Sequence, residues 1–147
     1  MSNNNNQPAL TQEQINSVMT LYSSGQLNEA IAEIKTLNES YPNVPLLFNI
    51  LGACYQAQGL LEDSAKMFET ATKIKPDYAE AHFNLGVVLK AGGQLEAAIE
   101  SYKKAIYLVP NYPAAYNNLG NIYKDLNQLD DAIESYQKAL TFKPDYV

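Results

Sequence analysis

The sequence predicts an all-α fold in which antiparallel helix pairs stack in series as an open solenoid. Three observations support this prediction: similar residues recur every 34 positions, apolar residues within each repeat keep helical spacing, and glycine or proline separates one helical stretch from the next. A single helix pair is too small to bury its own apolar stripe, so neighbouring pairs are expected to cover it.

The 34-residue repeat is visible in six columns that keep one register without a gap. The proline, leucine and aromatic columns are Pro42, Pro76, Pro110 and Pro144; Leu27, Leu61, Leu95 and Leu129; and Ile34, Phe68, Tyr102 and Tyr136. The repeat predicts one domain over 11–147, with a flexible leader at 1–10 in front of it. The units of that domain are 11–44, 45–78, 79–112 and 113–146.

Each unit is predicted to form two helices, as the third unit illustrates. Phe83, Leu85 and Leu89 mark the apolar face of a first helix, and Gly92 and Gly93 interrupt it. The second helix ends before the proline column, because proline cannot continue a helix. The predicted helices span 11–24, 28–41, 45–58, 62–75, 79–91, 96–109, 113–126 and 130–143.

Three first helices carry a start signal. Thr11 and Gln14 have the spacing of a capping box. Pro45 and Pro113 stand where the first helices of the second and fourth units begin, a position at which the missing N–H has no intrahelical partner in any case. Within a pair, the glycine column and the small residues of the second helix are expected to let the two backbones approach closely.

The composition limits the kinds of partner. Ten lysines, no arginine and sixteen acidic residues give a net charge of −6 and a pI near 4.7, so neither nucleic acid nor an anionic membrane is expected as a partner. No apolar run approaches the ~20 residues of a transmembrane helix, and the first residues lack the features of a signal peptide. A single cysteine fits a reducing compartment, and the cytoplasm is the expected location.

No catalytic residue, metal site or cofactor is predicted. Cys54 and His82 are each the only residue of their type. One cysteine and one histidine form neither a structural zinc site nor a catalytic triad by themselves. Both residues are expected to be buried packing residues, and the chain is expected not to be an enzyme.

The repeat resembles the tetratricopeptide repeat. In the third unit the signature positions of that family hold His82, Leu85, Gly86, Leu89, Ala98, Tyr102, Ala105 and Pro110. The second and fourth units match as well, whereas the first unit has polar Gln14 and Ser17, as expected of a terminal unit that faces water. The resemblance implies a right-handed superhelix whose first helices line a concave groove, and a role as a protein–protein interaction scaffold.

The geometry of that family also implies which side chains face the groove. Asn16, Asn84 and Asn118 share one column, which Ile50 interrupts. This column is similar to the asparagine ladder of O-linked N-acetylglucosamine transferases. The resemblance implies hydrogen bonds from these side chains to the backbone of an extended peptide. The alternative is that these amides bond neighbouring helices or water. The carboxylate clamp of some family members is absent. The residues expected to contact a partner are Asn16, Asn49, Phe83, Asn84, Lys90, Asn117, Asn118, Asn121 and Lys124.

Two functions and two explanations of the C-terminal end stay open. The leading hypothesis is a scaffold that holds an extended segment of a partner protein. The alternative is the N-terminal, substrate-recruiting arm of a larger glycosyltransferase or sulfotransferase, since the last two units resemble the repeats of such proteins. The last helix pair is expected to expose Tyr123, Ile133, Leu140 and Phe142. Either a longer protein covers these residues, or the pair associates with another copy.

Overall fold

The computed structural model describes residues 8–142, and within that range the chain forms eight α-helices and no strand. The helices are α1 (Gln12–Ser23), α2 (Leu27–Ser40), α3 (Pro45–Ala57), α4 (Leu61–Ile74), α5 (Ala79–Ala91), α6 (Leu95–Leu108), α7 (Pro113–Asp125) and α8 (Leu129–Phe142). Each odd-numbered helix pairs with the even-numbered helix that follows, and each pair packs on the next. Most of the predicted leader, residues 1–7, and the predicted helix end at residue 143 lie outside the described residues.

The first helices follow the start signals of the sequence. At the start of α1 the Gln14 amide donates to Thr11 Oγ1 at 3.1 Å, and the Thr11 amide donates to Gln14 Oε1 at 2.9 Å, so the predicted capping box forms. Pro45 and Pro113 are the first residues of α3 and α7. The predicted ends of the first helices agree with the structure to within one residue.

The second helices begin one residue earlier than predicted, because the column leucine is already helical. The helices α2, α4 and α6 also end one residue earlier than predicted. At the start of α2, the carbonyl of Gln26 accepts a hydrogen bond from the Ala30 amide at 3.0 Å. That bond closes the first turn and makes Leu27 the first residue of the helix. The same bond joins Leu60 to Ser64 at 2.9 Å in the second unit.

The turns inside the four helix pairs share one left-handed residue. Gly25, Gly59 and Gly93 have φ of 77°, 77° and 79°, and Asn127 takes the equivalent place with φ of 59°. Asparagine is one of the few residues with a side chain that tolerates this backbone region. The turn geometry is therefore kept in the fourth unit without glycine.

Within a pair, the glycine of the first helix lies under the aromatic ring of the second. A Cβ atom on Gly86 would lie 2.8 Å from the Tyr102 ring, and one on Gly52 would lie 2.7 Å from the Phe68 ring. The sequence placed small residues opposite this glycine and the ring beside it. In the structure the ring itself occupies the space that the missing side chain leaves.

The two ends of the array differ in polarity. In the last three units, the first helix buries the residues that lie toward the preceding pair. These residues are Leu47, Cys54, Ala81, Val88, Ala115 and Ile122. In the first unit the equivalent positions hold Glu13 and Thr20, which are exposed. The α1 end of the array is therefore polar at these two positions.

Candidate partner-binding groove

The first helices α1, α3, α5 and α7 form the inner wall of the array. α3 packs against α5 and α5 against α7, whereas among the described helices no comparable packing joins α4 to α6 or α6 to α8. A row of helix pairs that lies closer together on one side curves toward that side. The first helices therefore line a concave groove, and the second helices form the convex back.

The convex back is acidic and exposed. The exposed carboxylates of the second helices are Glu29, Glu39, Glu62, Asp63, Glu69, Glu96, Glu100, Asp130, Asp131 and Glu134. Within the described residues one ion pair forms, with 4.0 Å between Lys138 Nζ and Glu134 Oε1. An exposed pair of this kind contributes less than about 1 kcal/mol. These charges keep the back solvated and contribute little to holding the fold.

A chain of hydrogen bonds crosses the groove wall from α5 to α3 and back. Asn84 Nδ2 donates to Asn49 Oδ1 at 3.1 Å, and Asn49 Nδ2 makes a long bond of 3.5 Å to Glu80 Oε1. Burial raises the pKa of Tyr78 and Tyr112, and the charge of Glu80 raises the pKa of both further, while the Asn49 amide opposes the change at Tyr78. The charge of Glu80 therefore acts on two phenols, and its carboxylate bonds the amide chain.

Two further amides bond the aromatic column. Asn118 Nδ2 donates to the Tyr102 hydroxyl at 3.2 Å, and the Tyr136 hydroxyl donates to Asn121 Oδ1 at 2.6 Å. Burial raises the pKa of Tyr102 to about 12, and the bond from Asn118 opposes that rise. The second helices thus reach through to the groove wall and fix two of its amides.

Aromatic rings make the middle of the wall rigid. Phe83 stacks on Tyr112 with ring centroids 5.0 Å apart and 17° between the planes. It also meets Tyr102 at 5.6 Å and 59°. Phe83 was predicted as a partner contact, and the structure shows that one part of the ring is committed to these two tyrosines while the rest stays accessible.

The nine residues expected at the groove lie at three depths. Asn16 and Lys124 are exposed, and Asn49 is buried. Those that are partly exposed are Phe83, Asn84, Lys90, Asn117, Asn118 and Asn121. The Oδ1 atom of Asn16 accepts a hydrogen bond from Gln12 Nε2 on its own helix at 2.9 Å. Their contact with a partner stays a prediction.

The structure places Asn49 deeper in the wall than the other expected contacts, and its contact with a partner stays a prediction. Its side chain is 5% exposed, and both ends of its amide are bonded to neighbours in the wall. Asn49 therefore bonds both Asn84 and Glu80 within the wall. Ile50, which interrupts the asparagine column, is also 5% exposed.

A pocket opens in the wall where α1, α3 and α5 meet, with a cavity volume of about 220 Å³. Its lining residues are Met19, Tyr22, Asn49, Ile50, Ala53, Gln56, Glu80 and Asn84. Of these eight residues, Asn49 and Asn84 were predicted from the sequence as partner contacts. Spacing within one helix does not show that side chains from three helices meet, so the pocket had no signal in the sequence.

The single histidine and cysteine are packing residues, as expected. His82 is 6% exposed, and its Nε2 lies 2.9 Å from the carbonyl oxygen of Pro76. Cys54 is fully buried, and burial raises the pKa of its thiol. No group of three potential metal ligands occurs among residues 8–142. None of the helices in this described part of the chain has the length and apolar character to cross a membrane.

A second surface lies at the α8 end of the array. Leu129, Ile133 and Leu140 are 55%, 54% and 40% exposed and share one face of α8. The residues one unit earlier are Leu95, Ile99 and Ile106, which pack, partly buried, on the cluster that contains Ala115 and Ile122 of α7. Within residues 8–142, the face that α7 covers on α6 therefore has no covering helix on α8. Phe142 is 39% exposed and stacks on Tyr116 at 5.8 Å.

Comparison with protein families identifies the repeat. A family model described as "TPR repeat" matches residues 52–92 and 88–126. A second model, described as "Tetratricopeptide repeat", matches residues 113–146. A comparison with curated proteins finds no match.

Solved structures show the same superhelical solenoid. A crystal structure of MamA has a TM-score of 0.86 at 25% identity and covers 97% of this chain and 81% of its own. A MamA structure from Desulfovibrio magneticus RS-1, "MamA 41-end", has a TM-score of 0.83 at 24% identity and covers 92% and 78%. A third, "MamA MSR-1 C2", has a TM-score of 0.76 at 18% identity and covers 88% and 75%.

Proposed function

Because this chain belongs to the tetratricopeptide repeat family and is a protein–protein interaction scaffold, we propose that it holds an extended segment of a partner protein in the groove lined by α1, α3, α5 and α7. The second helices then form the solvated convex back and maintain the curvature of the array. The net charge of −6 and the absence of arginine favour a protein partner over a nucleic acid. The single buried cysteine favours a reducing compartment, and we propose the cytoplasm.

The observation that carries this proposal is the row of amides held along the groove wall. Asn84 and Asn118 each use one donor on a neighbour inside the chain. An asparagine side chain has two donors and an acceptor with two lone pairs, so each keeps a donor and an acceptor for a ligand. An extended peptide presents both backbone N–H and C=O groups, and a row of partly exposed amides can bond both without selecting a side chain.

Replacing Asn84 and Asn118 by alanine tests the proposal. The peptides used are those selected from a random library on the wild-type chain, and their affinity is measured by fluorescence anisotropy. The double variant is expected to bind about thirtyfold more weakly. Two hydrogen bonds of about 1 kcal/mol each are lost, and each 1.4 kcal/mol of binding free energy corresponds to about a factor of ten in affinity. Circular dichroism should show unchanged helix content.

A matched control removes two amides from the loops. Asn43 and Asn111 follow α2 and α6 and are exposed, so replacing both by alanine should leave peptide affinity unchanged. An Asn84/Asn118 double variant that binds the selected peptides with unaltered affinity would contradict the groove assignment. Thermal unfolding of each variant separates lost binding from lost folding, because both amides also bond other groups in the wall.

The alternative function is recruitment of substrates to a catalytic domain of a larger transferase. The resemblance of the last two units to the repeats of such enzymes favours it. The encoding reading frame distinguishes the two functions. Continuation into a transferase domain beyond Val147 supports the recruiting arm, and a stop soon after one further helix supports the free scaffold.

We also propose that the exposed face of α8 packs against α8 of a second copy. The uncovered residues are apolar, and their equivalents on α6 are covered by another helix. The polar α1 end does not suit as the covering surface, since it would bury the Glu13 carboxylate without a partner. An antiparallel pair of α8 helices is closed by twofold symmetry and places Asp130 of the two copies at opposite ends.

A further inference from the structure

We propose that the pocket between α1, α3 and α5 receives a basic side chain, lysine or arginine, of the segment held in the groove. This inference rests on the proposed peptide-binding function and names the chemistry of one position in the bound segment. The pocket has a volume of about 220 Å³, which gives room for a single side chain.

The walls of the pocket suit a long side chain with a charged end. Met19, Ile50 and Ala53 supply apolar surface on one side, and Glu80 supplies a carboxylate on the other. Lysine and arginine bury an aliphatic stem along apolar surface and keep the charged group at a polar rim. An acidic side chain would meet the like charge of Glu80, and a purely apolar one would leave that carboxylate without a new partner.

The hydrogen bonds of the wall leave Glu80 as an acceptor that faces the pocket. Asn49 is 5% exposed, and its amide joins Asn84 to Glu80 through bonds of 3.1 Å and 3.5 Å. A carboxylate accepts hydrogen bonds and does not donate them. This network orients one oxygen of Glu80 and leaves the remaining acceptor capacity of the carboxylate for a donor-rich ligand group.

No lysine of the described chain neutralises this carboxylate. Among residues 8–142 the single ion pair is that of Lys138 with Glu134 on the convex back. The groove lysine on the same helix, Lys90, is ten positions away from Glu80, or ~15 Å along the helix axis. The raised pKa of Tyr78 and of Tyr112, in part an effect of Glu80, shows that its negative charge acts on the neighbouring wall.

The test selects peptides from one random peptide library on the wild-type chain and, separately, on the Glu80→Gln variant. Wild-type selection is expected to enrich lysine or arginine at a single position of the aligned peptides. Selection on the variant should lose that preference and keep the others. A wild-type peptide should bind Glu80→Gln about five- to tenfold more weakly, and changing its basic residue to methionine should weaken wild-type binding by the same factor.

The matched control is Glu100→Gln, which removes an exposed carboxylate from the convex back and should leave selection and affinity unchanged. Glu80 is exposed and the change to glutamine preserves its shape, so both variants should unfold at the wild-type temperature. Peptides that bind the groove without a basic preference, or with equal affinity for Glu80→Gln, would overturn this inference and leave the proposed function standing. Failure to select any peptide above background would overturn both.

Discussion

At the scale of single residues, the glycine column sets how closely two helices of a pair approach. A Cβ atom on Gly86 would lie 2.8 Å from the Tyr102 ring. A Cβ atom on Gly120 would lie 2.6 Å from the Tyr136 ring. The rings differ in their freedom to move. Tyr102 is 1% exposed inside the array, whereas Tyr136 belongs to the last pair and is partly exposed.

Gly86→Ala should therefore destabilise the chain more than Gly120→Ala. The added methyl in the buried pair should cost about 1–3 kcal/mol of overpacking, offset by up to about 1 kcal/mol of helix propensity. In the last pair the ring is partly exposed and can shift toward solvent at the cost of weakening its bond to Asn121, so the net destabilisation should be smaller. Urea unfolding followed by circular dichroism measures both variants, and equal stability of the two would contradict this account of the glycine column.

The sequence predicted the columns but not the hydrogen bonds between them. Spacing alone marks Gly86, Tyr102 and Asn118 as three separate positions. That the Tyr102 ring covers the glycine while its hydroxyl accepts from Asn118 depends on how neighbouring pairs pack. The burial of Asn49 was missed for the same reason, since a polar residue on a groove-facing position is ordinarily accessible.

At the scale of helices, the boundaries could be predicted almost completely because local chemistry fixes them. Proline ends or begins a helix through its own ring, and a left-handed turn residue is chosen by its backbone preference. The one-residue shift of the second helices arises from hydrogen bonds such as that of Gln26 with Ala30, which no side-chain pattern marks. Helix ends are generally defined to within one or two residues in any case.

The exposed apolar face of α8 and the polar α1 end lead us to expect that two copies associate through α8. Ile133→Lys places a charge at the centre of the exposed face of α8, where the residue is 54% exposed. Sedimentation equilibrium should show the wild-type chain approaching twice its mass of 16.3 kDa as concentration rises, while the variant should keep a single mass. The variant should fold normally, because the substituted side chain lies on the surface.

Val109→Lys is the control for that experiment. Val109 is 41% exposed after α6, away from the face of α8, so this variant should associate like the wild type. A wild-type chain that stays monomeric at every concentration would contradict the proposed pairing. So would growth into long chains, since open head-to-tail stacking requires the polar α1 end to take part.

At the scale of the whole molecule, function follows from the difference between the two sides of the array. The convex side carries most of the negative charge, and the concave side carries amides, rings and a pocket with one carboxylate. The family resemblance implied that the first helices line the concave side. They could not predict the pocket, because it forms only when side chains of three stacked first helices meet.

The most direct test of the groove as the binding surface is to map a library-selected peptide by NMR on the isotope-labelled chain. The account predicts that backbone amide shifts change on α1, α3, α5 and α7, with the largest changes near Asn84, Asn118 and Glu80. Changes confined to the second helices, or to the exposed face of α8, would show that the partner binds elsewhere and would contradict the account.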